Sequence, residues 1–225
     1  MSSKLLYLSY ILDNTTPTYG HRNKFICKKK SSIANGDVAN DSTINTTVHI
    51  GTHIDMPYHF FEDGQTIEDF DSNYFNFKNV LFFELEPQDL IINNEMINLL
   101  ENVEQKELFD LLIIKTGICD KRDEDVFWKE NYGFSPDFAD YIRDKFPSIR
   151  ALGFDSISVS SFANRMLGRE AHKAFLNPQN PILLIEDMNL RDVNSDTKIK
   201  RVIVAPLRIA KCDGLPCTVI SEILE

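Results

Sequence analysis

Three of the five histidines in this 225-residue chain, His49, His53 and His59, fall within one short stretch. It reads Val48-His49-Ile50-Gly51-Thr52-His53-Ile54-Asp55-Met56-Pro57-Tyr58-His59-Phe60. Imidazole nitrogens and a carboxylate are ordinary ligands of a divalent metal, and imidazole is also the side chain suited to proton transfer near neutral pH. A helical zinc-protease pattern does not fit. It needs H-E-x-x-H on a helix, and this stretch carries β-branched residues, Gly51 and Pro57 instead. An extended reading fits better, because positions 49, 53, 55 and 59 are all odd and share one face of a strand. Distance then intervenes. A straight strand at about 3.3 Å per residue separates His49 from Asp55 by roughly 20 Å. One ion, with nitrogen ligands at about 2.1 Å, cannot span that gap. The chain must therefore fold back, and Gly51 and Pro57 are the places where it bends most easily. Spacing alone leaves open a plainer alternative, ordinary polar histidines on a half-exposed strand.

Further ligands have to come from downstream. His172 falls in a helical pattern, and Glu186 ends the aliphatic run Ile182-Leu183-Leu184-Ile185. A carboxylate after four aliphatic residues is costly to bury unless paired or bound to metal. Taken singly, Glu186 reads as a solvated strand end and His172 as a helix-surface residue.

The elements that must position these groups alternate along the chain. Val80-Leu81-Phe82-Phe83-Glu84-Leu85 is a strand pattern, followed after Pro87 by a helical one through Ile91, Ile92, Met96, Leu99 and Leu100. Leu111-Leu112-Ile113-Ile114 predicts a buried strand closed by Thr116-Gly117. Ser135-Pro136-Asp137 predicts a helix start, with Phe138, Tyr141, Ile142 and Phe146 at helical spacing before Pro147. Residues 149–154 and 181–186 predict strands, with a helix over 169–176 between them. Strands at Val202-Ile203-Val204 and over 219–224 close the pattern. The first 60 residues hold β-branched runs and turns without a strong helix. Such alternation implies an α/β domain whose sheet is at least partly parallel.

Composition bounds the function. There are 34 acidic and 24 basic side chains, a formal charge of −10, which argues against the basic face a nucleic-acid binder needs. At 43% hydrophobic and 26% charged the chain is globular in composition. Cys27, Cys119, Cys212 and Cys217 form no paired C-x-x-C half-sites, and Cys212 and Cys217 bracket Asp213-Gly214 as incidental thiols at a turn. No run approaches the roughly 18 apolar residues of a membrane helix. The opening MSSKLLYLSYIL reads as a first strand and not as a signal peptide, which places the protein in the cytoplasm.

The segment HIGTHIDMPYHF resembles the signature H-x-G-T-H-x-D-x-P-x-H of the cyclase-family metal-dependent hydrolases, whose best-known members are bacterial kynurenine formamidases. The resemblance extends to Leu8-Ser9, Thr16-Pro17-Thr18-Tyr19-Gly20 and residues 111–117. It continues through residues 151–159, Ala171-His172-Lys173, Leu183-Leu184-Ile185-Glu186, Pro206-Leu207 and Asp213-Gly214-Leu215-Pro216. Nearly the whole chain is covered.

The resemblance implies one compact α/β domain over residues 1–225, with a mixed-sheet or barrel-like β core flanked by helices, the swivelling type of that family. It implies that His49, His53 and Asp55 bind one metal, that Asp55 and Glu186 bridge to a second, and that His172 completes the pair. His59 would be no ligand but the general acid/base. Tyr19 matches a pocket-lining aromatic that is often tryptophan in the formamidases. Here the following proline is missing, and His21-Arg22-Asn23 replaces an acidic residue expected nearby. Two zinc ions suit this donor set, and manganese would also suit its oxygen content. The implied activity is hydrolysis of an amide, an aryl formamide such as the N-formylkynurenine of tryptophan catabolism, through metal-bound hydroxide. Two other readings stand beside it: hydrolysis of another cyclic amide or lactone of isatin type, and a metal-stabilised binding protein without catalysis. The implied partners are a small-molecule substrate and further copies of the chain in a homodimer or homotetramer, with no nucleic acid and no membrane.

Overall fold

Short aliphatic runs between turn-forming residues become strands, and the longer amphipathic stretches between them become helices. A computed structural model describes residues 2–224. The N-terminal part is all strand and turn: β1 (Ser3–Tyr7), β2 (Ile26–Ser31), β3 (Asp41–Asn45) and β4 (His53–Asp55). The middle holds β5 (Asn76–Phe77), β6 (Val80–Glu84), β7 (Ile91–Ile92), α1 (Asn94–Glu101), β8 (Leu111–Lys115), the single turn α2 (Val126–Lys129) and β9 (Gly133–Phe134). Then follow α3 (Pro136–Lys145), β10 (Ala151–Phe154), α4 (Arg165–Phe175), β11 (Leu183–Glu186), β12 (Lys198–Pro206) and β13 (Gly214–Leu224).

Nine strands form one mixed sheet in the order β5-β12-β13-β4-β11-β10-β8-β6, with β1 also on β13. The segment β6-β8-β10-β11 is parallel, whereas β4 runs antiparallel to both of its neighbours. β12 also packs against β6, so the sheet curls into a nearly closed barrel. The parallel strands read as unbroken apolar runs because both their faces are covered. Leu111 to Ile114 and Leu183 to Ile185 have no accessible surface. Each such side chain contributes about 1.5–3 kcal/mol when fully buried. Among the described residues, no helix is long and apolar enough to cross a membrane.

Helix α3 starts as its sequence predicts. The Ser135 hydroxyl accepts the Asp137 N–H at 3.3 Å, and Pro136 occupies the first turn. Two elements differ from expectation. Ile91 and Ile92 belong to β7, paired with β9, and the helix begins at Asn94. This β-branched pair finds a strand partner in Gly133 and Phe134, which outweighs its fit to the helical period. Helix α4 begins at Arg165, four residues before the expected start, capped by the Asn164 side chain accepting from Leu167 N–H at 3.2 Å. Gly168 disguises that first turn in the sequence, but it is there for packing. A Cβ on Gly168 would lie 2.1 Å from the Ser160 hydroxyl.

Candidate metal centre

Strand β4 is only three residues long, yet it is hydrogen-bonded on both sides. Its register sets His53 opposite Glu186 of β11 and Asp55 opposite Gly214 of β13. Ile54, between them, points into the core with no accessible surface. The chain folds back on either side of this strand. Gly51 takes the left-handed conformation (φ 56°). His49 thereby returns to place Nδ1 2.9 Å from Asp55 Oδ1. Pro57 opens a single 3-10 turn through His59, which brings the His59 ring to 4.1 Å from that of His49 and 5.7 Å from that of His172.

The distant residues complete the cluster. His53 Nε2 lies 3.4 Å from Asp55 Oδ1 and 3.3 Å from Glu186 Oε2. His172, from α4, places Nε2 3.5 Å from Asp55 Oδ2 and 3.8 Å from Glu186 Oε1. Backbone carbonyls fix both rings: His53 Nδ1–H donates to Gly51 and His172 Nδ1–H to Gly168, each at 2.8 Å. Both Nε2 atoms are thereby left facing the carboxylates, as ligating histidines are held in metal sites. Val159 N–H donates to Glu186 Oε1 at 2.7 Å and fixes that side chain in turn.

Electrostatics mark the cluster as one unit. Burial works against charge on His49, yet the Asp55 carboxylate and the bond to Asp213 raise its pKa to about 9. His53, also desolvated, is held well above the usual imidazole range by Asp55 and Glu186. Asp55 is fully buried, which alone would raise it, but His49 and His172 hold its carboxyl well below the usual carboxylate range. Even so, Asp55 Oδ2 is enclosed and accepts no hydrogen bond among the described residues. A buried carboxylate oxygen without a donor costs free energy unless a cation sits beside it. The donor set therefore fits a divalent ion: among the described residues, ligand atoms lie within 4.8 Å of one another in the groups His49, His53 and Asp55; Asp55, His59 and His172; and His49, His59 and Asp213.

The structure brings together all six of the expected metal and proton-transfer residues: His49, His53, Asp55, His59, His172 and Glu186. Tyr19 lines the same cavity of ≈ 350 Å³. Glu186 and His172 are buried, not the solvated residues that each suggests in isolation. The full stretch 49–59 is not one strand, since only positions 53–55 are extended within the sheet. One member was missed. Asp213 Oδ2 accepts from His49 Nε2 at 2.7 Å and from His59 Nδ1 at 3.0 Å, and these two bonds hold its carboxyl far below the ordinary range. Its signal in the sequence was Gly214, which reads as a turn former but is needed because a Cβ there would lie 2.4 Å from the His49 ring.

Comparison with known proteins finds related sequences and a related fold. A family model described as "Putative cyclase" matches residues 6–161, well over half of the chain. Cyclase-like protein 2 of Oryza sativa subsp. japonica is 26% identical over 201 residues, 85% of this chain and 68% of that protein. Kynurenine formamidase of Bacillus mycoides (strain KBAB4) is 26% identical over 217 residues, covering 96% of this chain and 95% of that one. A solved structure titled "The structure of predicted metal-dependent hydrolase from Bacillus stearothermophilus" superposes with a TM-score of 0.76 at 25% identity, over 99% of each chain.

Proposed function

The chain belongs to the cyclase family of metal-dependent hydrolases, and we propose that it hydrolyses the C–N bond of an amide, with an aryl formamide as the leading substrate class. The observation that carries this reading is the orphaned oxygen of Asp55, enclosed by imidazoles and Glu186 at the floor of an open cavity. His49, His53 and Asp55 would hold one ion, and Asp55, Glu186 and His172 a second. Zinc is the first choice for this set, and manganese the next. Bound there, such ions acidify a water molecule and polarise the scissile carbonyl.

The remaining roles fall to side chains around the cluster. His59 stays outside the ligand set. Its Nδ1–H donates to Asp213, which leaves Nε2 to hold a proton and deliver it to the departing amine nitrogen. Asp213 grips His49 and His59 together, so it keeps the proton carrier in register with the ligand cluster. Ile50, Phe60 and Ile157 form apolar walls that suit an aromatic ring, and Tyr19 stands at the same cavity. Water adds to the carbonyl carbon, the C–N bond breaks, and formate leaves with the aryl amine. A homodimer or homotetramer is part of this reading. It is supported by the separate hairpin β2–β3, which exposes Ile26 at 40% and Ile44 at 65% to solvent.

The test is a panel of formanilides, lactams and lactones assayed with zinc or manganese and after chelation. Metal-dependent opening of the formanilides is the expected result. Equal, background rates across the panel with metal bound would leave a binding protein in place of an enzyme.

A further inference from the structure

We infer that the substrate carries a carboxylate away from its scissile amide and no ammonium group, and that Arg165 and Arg169 of α4, with Arg22, bind that carboxylate. This rests on the amide-hydrolase reading above and narrows it. The chain has a formal charge of −10, yet three arginines line this one cavity. Among the described residues, no carboxylate lies within ion-pair distance of any of them. Arg165 lies over the Phe162 ring at 5.9 Å, and Arg169 reaches the Met166 sulfur at 3.7 Å. By contrast, the buried Arg122 is paired with Asp187 and the half-buried Arg150 with Asp110.

The helix explains why two of these arginines point at the site. Arg165, Arg169 and His172 stand at i, i+4 and i+7, one stripe of α4. His172 ends that stripe inside the ligand cluster. At about 1.5 Å rise per residue, Arg169 and Arg165 sit roughly 4.5 and 10.5 Å from it along the axis, toward the cavity mouth. Arg22 arrives on a different element. The turn Tyr19–His21 carries both Gly20 and His21 in left-handed conformation, at φ 65° and 57°, and delivers Arg22 to the cavity.

A second observation concerns Tyr19. Its hydroxyl is enclosed beside Arg165, which can only donate to it, so the phenolic O–H finds no acceptor among the described residues. A buried O–H without an acceptor awaits one. Three guanidinium groups and one waiting O–H thus present donors to whatever enters. Guanidinium recognises carboxylate through paired, charge-assisted N–H bonds, which also fix orientation. Among the described residues, the carboxylates lining the cavity are Asp55 and Glu186, both inside the ligand cluster. An α-amino acid substrate would find its carboxylate matched and its ammonium facing arginine. An acylated aminobenzoate fits, because it has the carboxylate alone.

The test uses the zinc- or manganese-loaded protein and compares kcat/KM for 2-formamidobenzoate, N-formylkynurenine and neutral formanilide. Binding of 2-aminobenzoate and of aniline is measured in parallel by calorimetry. The wild type should favour the benzoate over formanilide by about ten- to hundredfold, as expected for charge-assisted bonds, with N-formylkynurenine below the benzoate. The double variant Arg165→Gln/Arg169→Gln should collapse that ratio and weaken 2-aminobenzoate binding at least tenfold. Both positions are exposed, and unchanged melting and metal content would show that the variant folds and loads. Equal kcat/KM for benzoate and formanilide, N-formylkynurenine as the best of the three, or a preference that survives in the variant would overturn the inference. If no amide turns over with metal bound, the hydrolase reading falls, and calorimetry alone decides on the carboxylate. Arginine-dependent binding of 2-aminobenzoate would then sustain it, and undiminished or absent binding would reject it.

Discussion

Asp55 is the residue that ties the cluster together, because each of its oxygens faces an imidazole and one of them has no donor. Glu186 is the second common neighbour, 3.3 Å from His53. Glu186→Ala should therefore lower bound metal markedly in elemental analysis; full occupancy would remove it from the ligand set. His59→Ala should keep its metal and lose turnover by about 10²- to 10⁴-fold, the usual share of general acid–base catalysis. Loss of metal in that variant would make His59 a ligand. The raised pKa of His49 adds a pH dependence. In the metal-free protein this imidazole keeps a proton up to about pH 9, and an incoming ion must displace it. Affinity should thus climb as pH rises from 6.5 toward about 9, with proton release on binding, and a flat affinity across that window would contradict the assignment. These histidines were legible in the sequence because three of them share a short segment with bending residues on both sides. The role of Asp213 was not, since beyond the neighbouring Gly214 a single aspartate in a turn carries no periodic or spacing signal, and its partners lie 164 and 154 positions away.

At the scale of elements, the site exists because β4 sits antiparallel between β11 and β13, and that pairing was the least legible feature. The apolar runs of β8, β10 and β11 announced themselves, whereas the extended pattern over residues 49–59 did not show that only His53–Asp55 would enter the sheet. Tertiary context settled it: Ile54 fills the core and both edges of the strand are bonded. The close approach of β13 to His49 gives a direct test. Gly214→Ala places a methyl group in the His49 ring, so this variant should fold and bind less metal; unaltered occupancy would show that the ring has room to move. The end of β11 is held in another way. Asp187 adopts a left-handed conformation (φ 50°) and receives two bonds from Arg122, at 2.8 and 2.6 Å, in a buried pair. Arg122→Ala leaves that carboxylate buried and alone. It should cost about 3–5 kcal/mol in denaturant unfolding, the usual penalty for breaking such a pair. A loss below 1 kcal/mol would mean that water replaces the guanidinium.

Over the whole molecule, ligands separated by more than a hundred residues meet only once the barrel has formed. An ion bound by all of them recognises the folded state and not the unfolded one, so it must stabilise the fold. At a free concentration of 100 Kd the gain is about 2.7 kcal/mol, which for a chain of this size raises Tm by about 5–10 °C. Chelation should reverse that shift, and a Tm indifferent to chelation would separate metal from folding. The overall negative charge also gives the arginine-lined cavity its contrast with the rest of the surface. The α/β class and the places of its main strands along the chain followed from apolar runs alternating with helical periods. Closure of the sheet did not, because it depends on β12 reaching β6 across residues that share no local pattern.

Anomalous diffraction from crystals grown with zinc or manganese addresses the central claim most directly. Peaks are expected within about 2.0–2.3 Å of His53 Nε2, Asp55 and Glu186, with one of them against Asp55 Oδ2. A fully active crystal with no anomalous scatterer touching Asp55, or with its only metal elsewhere, would contradict the account.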